Sequence, residues 1–178
     1  MFHFDEKKHF FIFVGWVGYG VPDWQEVQYV NDTSIEYYGL WTYCQQVAPY
    51  YNTNCQRWSN AGNRIYHDTT PNFVKTSQGL VTTGMILLTL GFILAMITIK
   101  LGTLAFVTGT LALLSFLFLV IGIPIFGQQA DKLANLQGAM HYSKRYGFWF
   151  MIPTMVLEFL GSILFLLTGI FHQKSTSH

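Results

Sequence analysis

Residues 37–44 read Tyr37-Tyr38-Gly39-Leu40-Trp41-Thr42-Tyr43-Cys44, and the other of the two cysteines follows at Cys55. Both cysteines lie in a polar stretch between apolar segments, and the remainder of the chain reads as a membrane scaffold that carries this stretch. Of 178 residues 51% are hydrophobic and only 11% charged, the composition of an integral membrane protein. The formal net charge is +1, and the basic residues are scattered rather than gathered into a stripe that could follow a phosphate backbone. Nucleic acid is therefore not an expected partner.

The polar stretch, residues 22–78, is too long for a turn and rich in β formers: Val27, Tyr29 and Val30, then residues 35–43, 47–51 and 55–58. That pattern predicts a small antiparallel sheet. So small a sheet has little core of its own, and a Cys44–Cys55 cross-link would add roughly 2–3 kcal/mol by closing a loop of about ten residues. Such a bond needs an oxidising compartment and would place the loop outside the cell. The plainer alternative is two free, buried cysteines; a zinc site is poorly served, because His67 is the one histidine in the loop and zinc takes four ligands. Asn31-Asp32-Thr33 forms a glycosylation triplet at Asn31, which fits an exterior loop if used. Gly39, Leu40 and Trp41 read as a glycine allowing close backbone approach beside two apolar side chains that fix the sheet to the membrane bundle.

Working outward, residues 79–99 and 101–126 are uncharged apolar runs long enough to span a bilayer, separated only by Lys100. So short a link demands an antiparallel helical hairpin, and Gly84, Gly91, Gly102 and Gly109 suit close helix approach. Residues 127–146 form a second polar loop, residues 147–171 a last span, and residues 172–178 a short tail. The first apolar run, about residues 9–21, is the weakest: about 20 residues are needed, and Asp5, Glu6, Lys7 and Lys8 block extension backward. A short first transmembrane helix, or a longer helix that has lost its start, is favoured over an uncleaved signal-like segment. Pro22 and Trp24 close this run as proline and an interfacial tryptophan would. With four spans both loops share one side, and the cysteines place that side outside. Lysine and arginine do not decide the orientation: Lys7, Lys8, Lys100 and Lys174 balance Lys75, Lys132, Lys144 and Arg145.

Glu158 is the ionisable residue of the last span. A carboxylate at mid-bilayer costs several kcal/mol, on the order of the values for other buried charges, unless protonated or paired. The plain reading is a carboxyl hydrogen-bonded within the bundle to Thr82, Thr83, Thr89 or Ser115. The sharper one is contact with a partner helix, or a proton-sensitive element.

Gly39-Leu40-Trp41, two residues, Cys44, ten residues and Cys55 resemble the extracellular signature of the claudin superfamily, which includes the peripheral myelin and epithelial membrane proteins and channel gamma subunits. Pro22 and Trp24 ahead of it, Lys75 before the second span, the Lys100 turn and Tyr146-Gly147 entering the fourth extend the resemblance over most of the chain, closest to the invertebrate or epithelial-membrane-protein branch. It implies a single domain over residues 1–178: an all-α, left-handed four-transmembrane bundle bearing a small extracellular β-sheet made from both loops. It also implies a plasma-membrane protein that seals or perforates the paracellular space, mediates adhesion or escorts a channel. Departures are Gln25 where the family commonly has arginine, the short first span, the slightly long cysteine spacing, no cytoplasmic cysteine for palmitoylation, and a Ser175–His178 tail without a PDZ-binding terminus.

In such a protein the sheets of neighbouring chains associate side by side and the loops meet those of the opposing cell, without catalysis or a cofactor. Asp23, Glu26, Asp32, Glu36 and Asp68 stand against Arg57, Arg64 and Lys75 in the first loop, and Gln56 follows Cys55. With no ring of charge, a barrier or adhesion role is expected ahead of a selective pore. The expected partners are membrane lipids and copies of the same chain, in cis and in trans; the alternative is an accessory subunit of a channel or receptor. An enzyme is not expected: the histidines are dispersed and no catalytic or phosphate-binding motif is present.

Overall fold

The structure is a computed structural model describing residues 5–29, 34–47, 52–58, 70–98 and 104–176. Among the described residues there are four helices and five strands, in the order α1 (Asp5–Gly20), β1 (Gln25–Tyr29), β2 (Ser34–Tyr38), β3 (Thr42–Val47), β4 (Asn52–Arg57), α2 (Asn72–Thr98), α3 (Ala105–Leu136), β5 (Ala139–Lys144) and α4 (Tyr146–Thr176). Among the described residues three helices, Asn72–Thr98, Ala105–Leu136 and Tyr146–Phe171, are long and apolar enough to cross a membrane. α1 has 16 residues, about 24 Å at 1.5 Å per residue, short of a roughly 30 Å hydrocarbon core.

The helices outrun the apolar runs that announce them. α2 begins at Asn72 rather than at residue 79, with Val74 N–H and Lys75 N–H both donating to Pro71 O at 3.0 and 3.2 Å. Proline is preorganised for a helix start, and polar residues continue a helix as readily as apolar ones. α3 continues ten residues past the expected end at 126, reaching about 48 Å. Hydropathy locates the bilayer edge, not the helix end. Gly138, at φ +76°, turns the chain out of the helix. The expected link at Lys100 lies outside the described residues.

Among the described residues α2 and α3 pack most extensively, then α3 with α4 and α1 with α4, and α1 meets α2 less than it meets α4. Ser115 Oγ donates to Gly84 O at 2.7 Å between α2 and α3, and Thr98 and Thr108 hydroxyls meet at 3.0 Å. Such bonds tie helices together where lipid supplies no hydrophobic drive.

The strands form one antiparallel sheet in the order β4-β3-β2-β1-β5. β2 and β3 divide the expected continuous strand over 35–43, because the chain reverses at residues 39–41 and Gly39 N–H donates to Thr42 O at 2.9 Å. A β-rich composition does not reveal such a turn when its residues are Leu and Trp. β5, which lies in the second loop, adds to the free edge of β1, Gln25 facing Lys144 and Glu26 facing Ser143. The inner face of the sheet rests on the projecting end of α3, where Phe126, Ala130, Leu133 and Ala134 are buried on one helical face.

Candidate functional site: the sheet and its seat

Cys44 and Cys55 face each other across β3 and β4 and are joined by a disulfide. Cys44 is buried and Cys55 exposed. One strand further in, Tyr38 pairs with Tyr43, and both rings pack on Trp58 at 5.5 and 5.7 Å. Trp58 Nε1–H donates to Gly39 O at 2.9 Å, closing the start of β3 against the end of β4.

Gly39 is required by space. A Cβ there would lie 2.6 Å from Pro22 Cα and from Pro22 O, so no side chain fits. Leu40 is fully buried and its carbonyl accepts Gln78 Nε2–H at 2.9 Å, tying the turn to α2. Trp41 is 37% exposed and packs edge-on against Tyr19 of α1 at 5.3 Å. The triplet thus touches both α1 and α2.

Trp24, expected at the lipid interface, is instead fully buried. Its Nε1–H donates to Gly18 O at 2.7 Å, and its ring meets Phe126 at 5.2 Å and Phe148 at 6.3 Å. It satisfies a C-terminal carbonyl of α1 and joins that helix to α3 and α4. Gly147 N–H donates to Asp23 O, and Arg145 N–H to Trp24 O, both at 2.9 Å.

The β1–β5 side is polar but satisfied. Lys144 Nζ donates to Asp131 Oδ1 at 2.6 Å, Gly127 O at 2.7 Å and Gln25 Oε1 at 3.0 Å, while Gln25 Nε2–H reaches Asp131 Oδ1 at 3.0 Å. Burial pulls the Lys144 ammonium below its ordinary range, with Asp131 opposing. Gln25, a departure from the usual arginine, is fully buried between them and supplies a neutral bridge. Arg145 pairs with Asp23 at 3.3 Å and Glu26 at 3.0 Å. Burial lowers its guanidinium, and Asp23 and Glu26 outweigh that to leave it raised. One arginine of the second loop is therefore shared between two acids of the first. Under the sheet, Tyr29 and Tyr38 hydroxyls both reach Glu36 Oε2, at 2.9 and 3.0 Å, and both reach Gln137 Oε1. Burial, and then the Glu36 charge, push the Tyr38 phenol far up, so it remains a donor.

A family model, that of the PMP-22/EMP/MP20/Claudin family, matches residues 10–172. The chain belongs to that family. A search of curated proteins found no match. Within the PMP-22/EMP/MP20/Claudin frame the signature residues Trp24, Gly39, Leu40 and Trp41 are joints between the sheet and the helices, and the protein is a multi-pass membrane protein. Asn31 lies outside the described residues. Glu158 is buried beside Ser115, whose hydroxyl donates to Gly84 O, and among the described residues neither Glu158 oxygen makes a hydrogen bond of good geometry. Tyr38, Trp58 and Asp131 carry the seat without a signal in the isolated sequence, since their partners lie up to 106 residues away.

Proposed function

We propose that this is a non-enzymatic four-span plasma-membrane protein, α1 completing a left-handed bundle, which works at cell–cell contacts through its sheet as a barrier or adhesion element. The disulfide between β3 and β4 carries the reading, since it stabilises a small sheet only in an oxidising space. Family membership supports it, and so does α3, whose polar end carries the sheet at the membrane surface. α1 and α4 pack directly, as a fourth span requires. Arg145 offsets one of the two charges of Asp23 and Glu26, which leaves no concentrated charge there for selecting ions. The accessory-subunit reading gains less, because Glu158 is turned into the bundle rather than out toward a partner helix. Mixing cells that express the tagged chain with cells that do not, in a line lacking junctions, tests the proposal. Enrichment only where two expressing cells touch, abolished by Cys44→Ser, is the expected result; a uniform surface signal would overturn it.

A further inference from the structure

At the other end of the sheet an open cleft of about 530 Å³ is lined, among the described residues, by Trp41, Thr42, Arg57, Trp58, Thr70 and Gln78. Its volume is in the range of ligand sites, roughly 300–1,000 Å³. No acidic side chain is among those lining residues. Arg57 is exposed and makes no ion pair among the described residues, and the same holds for Lys75, which stands one turn before Gln78 on the same face of α2. This cationic mouth opens where helix gives way to sheet. Below it runs the seam between α1 and α2, which hardly touch and are crossed by the 2.9 Å hydrogen bond from Tyr19 to Thr82. The α1 wall is a ladder of rings, Trp41 on Tyr19 on Trp16, each step 5.3 Å between centroids. The α2 wall continues from Gln78 and Thr82 through Ile86, Leu90 and Ile93, all three exposed and one helical turn apart.

We propose that the cleft seats the headgroup of an anionic diacyl phospholipid, its phosphate held by Arg57 and Lys75 and its chains lying along the seam between α1 and α2. Guanidinium and ammonium groups supply charge-assisted donors to the phosphate oxygens, and the Thr42 and Thr70 hydroxyls supply neutral ones. Charged donors at the head of an apolar seam suit a phosphate with acyl chains attached, and interfacial aromatic rings favour the same depth. The apolar walls below select a lipid over a free anion, because a soluble phosphate leaves them uncovered. The inference requires the sheet to sit at the bilayer surface and is independent of the junctional role.

Native mass spectrometry of the full chain, released from micelles containing chain-matched phosphatidylglycerol, phosphatidylcholine and diacylglycerol, tests it. Phosphatidylglycerol should be retained most and diacylglycerol least, a ranking that needs no variant. Arg57→Gln with Lys75→Gln should weaken phosphatidylglycerol retention about tenfold or more, as expected for losing charged hydrogen bonds, with the Cys44–Cys55 bond intact as the check on folding. Equal retention of diacylglycerol, an unaffected double variant, or displacement of the lipid by inorganic phosphate alone would each overturn the proposal.

Discussion

The two sides of the sheet are held by different physics. On the β1–β5 side Gln25, Asp131, Lys144, Arg145, Asp23 and Glu26 find partners from three separate elements, and Trp24 is buried beneath them. On the β4 side residues 53–57 are exposed, and the strand is held by its ladder to β3, the disulfide and Trp58. A strand seated on helices can rely on noncovalent contacts. One that reaches beyond them has little surface to bury, and a covalent staple takes that place.

Trp24→Ala should have the largest effect, about 3–5 kcal/mol, because it empties a ring-filled site and leaves Gly18 O without its donor. Unfolding in mixed micelles measures it; a loss below about 1 kcal/mol would show that the seat does not carry the β1–β5 side. Replacing both cysteines by serine should cost about 3 kcal/mol, with hydrogen exchange rising in β3 and β4 while β1 and β5 stay protected. Equal loss of protection in all five strands would mean that the sheet opens as one unit and that the two sides do not differ.

The smallest effect is a pH dependence. Burial lowers the Lys144 pKa from its ordinary 10.5, Asp131 partly opposing. Between the lowered folded value and 10.5 the unfolded chain binds more protons, so stability rises with pH across that window; the penalty is complete below it and gone above it. Lys144→Met should flatten this rise in unfolding midpoints taken from about pH 8 to 11, whereas Arg57→Gln on the other side should leave it unchanged. A rise that persists in Lys144→Met assigns it to another group.

Reading apolar runs located the three long helices, because bilayer thickness imposes a length on any span that crosses it. They also marked α1 as short, which the structure repeats at 16 residues. The runs misplaced helix ends by up to ten residues at α3, since helix propensity continues through Gln128, Gln129, Asp131 and Lys132 after hydrophobicity has ended. The second loop gave no strand signal strong enough to reveal β5, whose sequence Ala139–Lys144 becomes a strand by pairing with β1. Trp24 is buried rather than interfacial, a difference that composition cannot show, because it does not separate a ring that faces lipid from one that Phe126 and Phe148 enclose.

Membrane class, the three long spans, a β-rich polar loop and the spacing of Cys44 and Cys55 are properties of the sequence by itself, because each follows from local composition acting against a solvent of known thickness. Which strand borders which, that Lys144 neutralises Asp131 while Arg57 and Lys75 make no ion pair among the described residues, and that Gly39 must lie against Pro22 were decided only by the tertiary structure. These are relations between residues far apart in the chain, and hydrogen bonds, ion pairs and close packing act over a few ångströms of space with no regard for sequence distance.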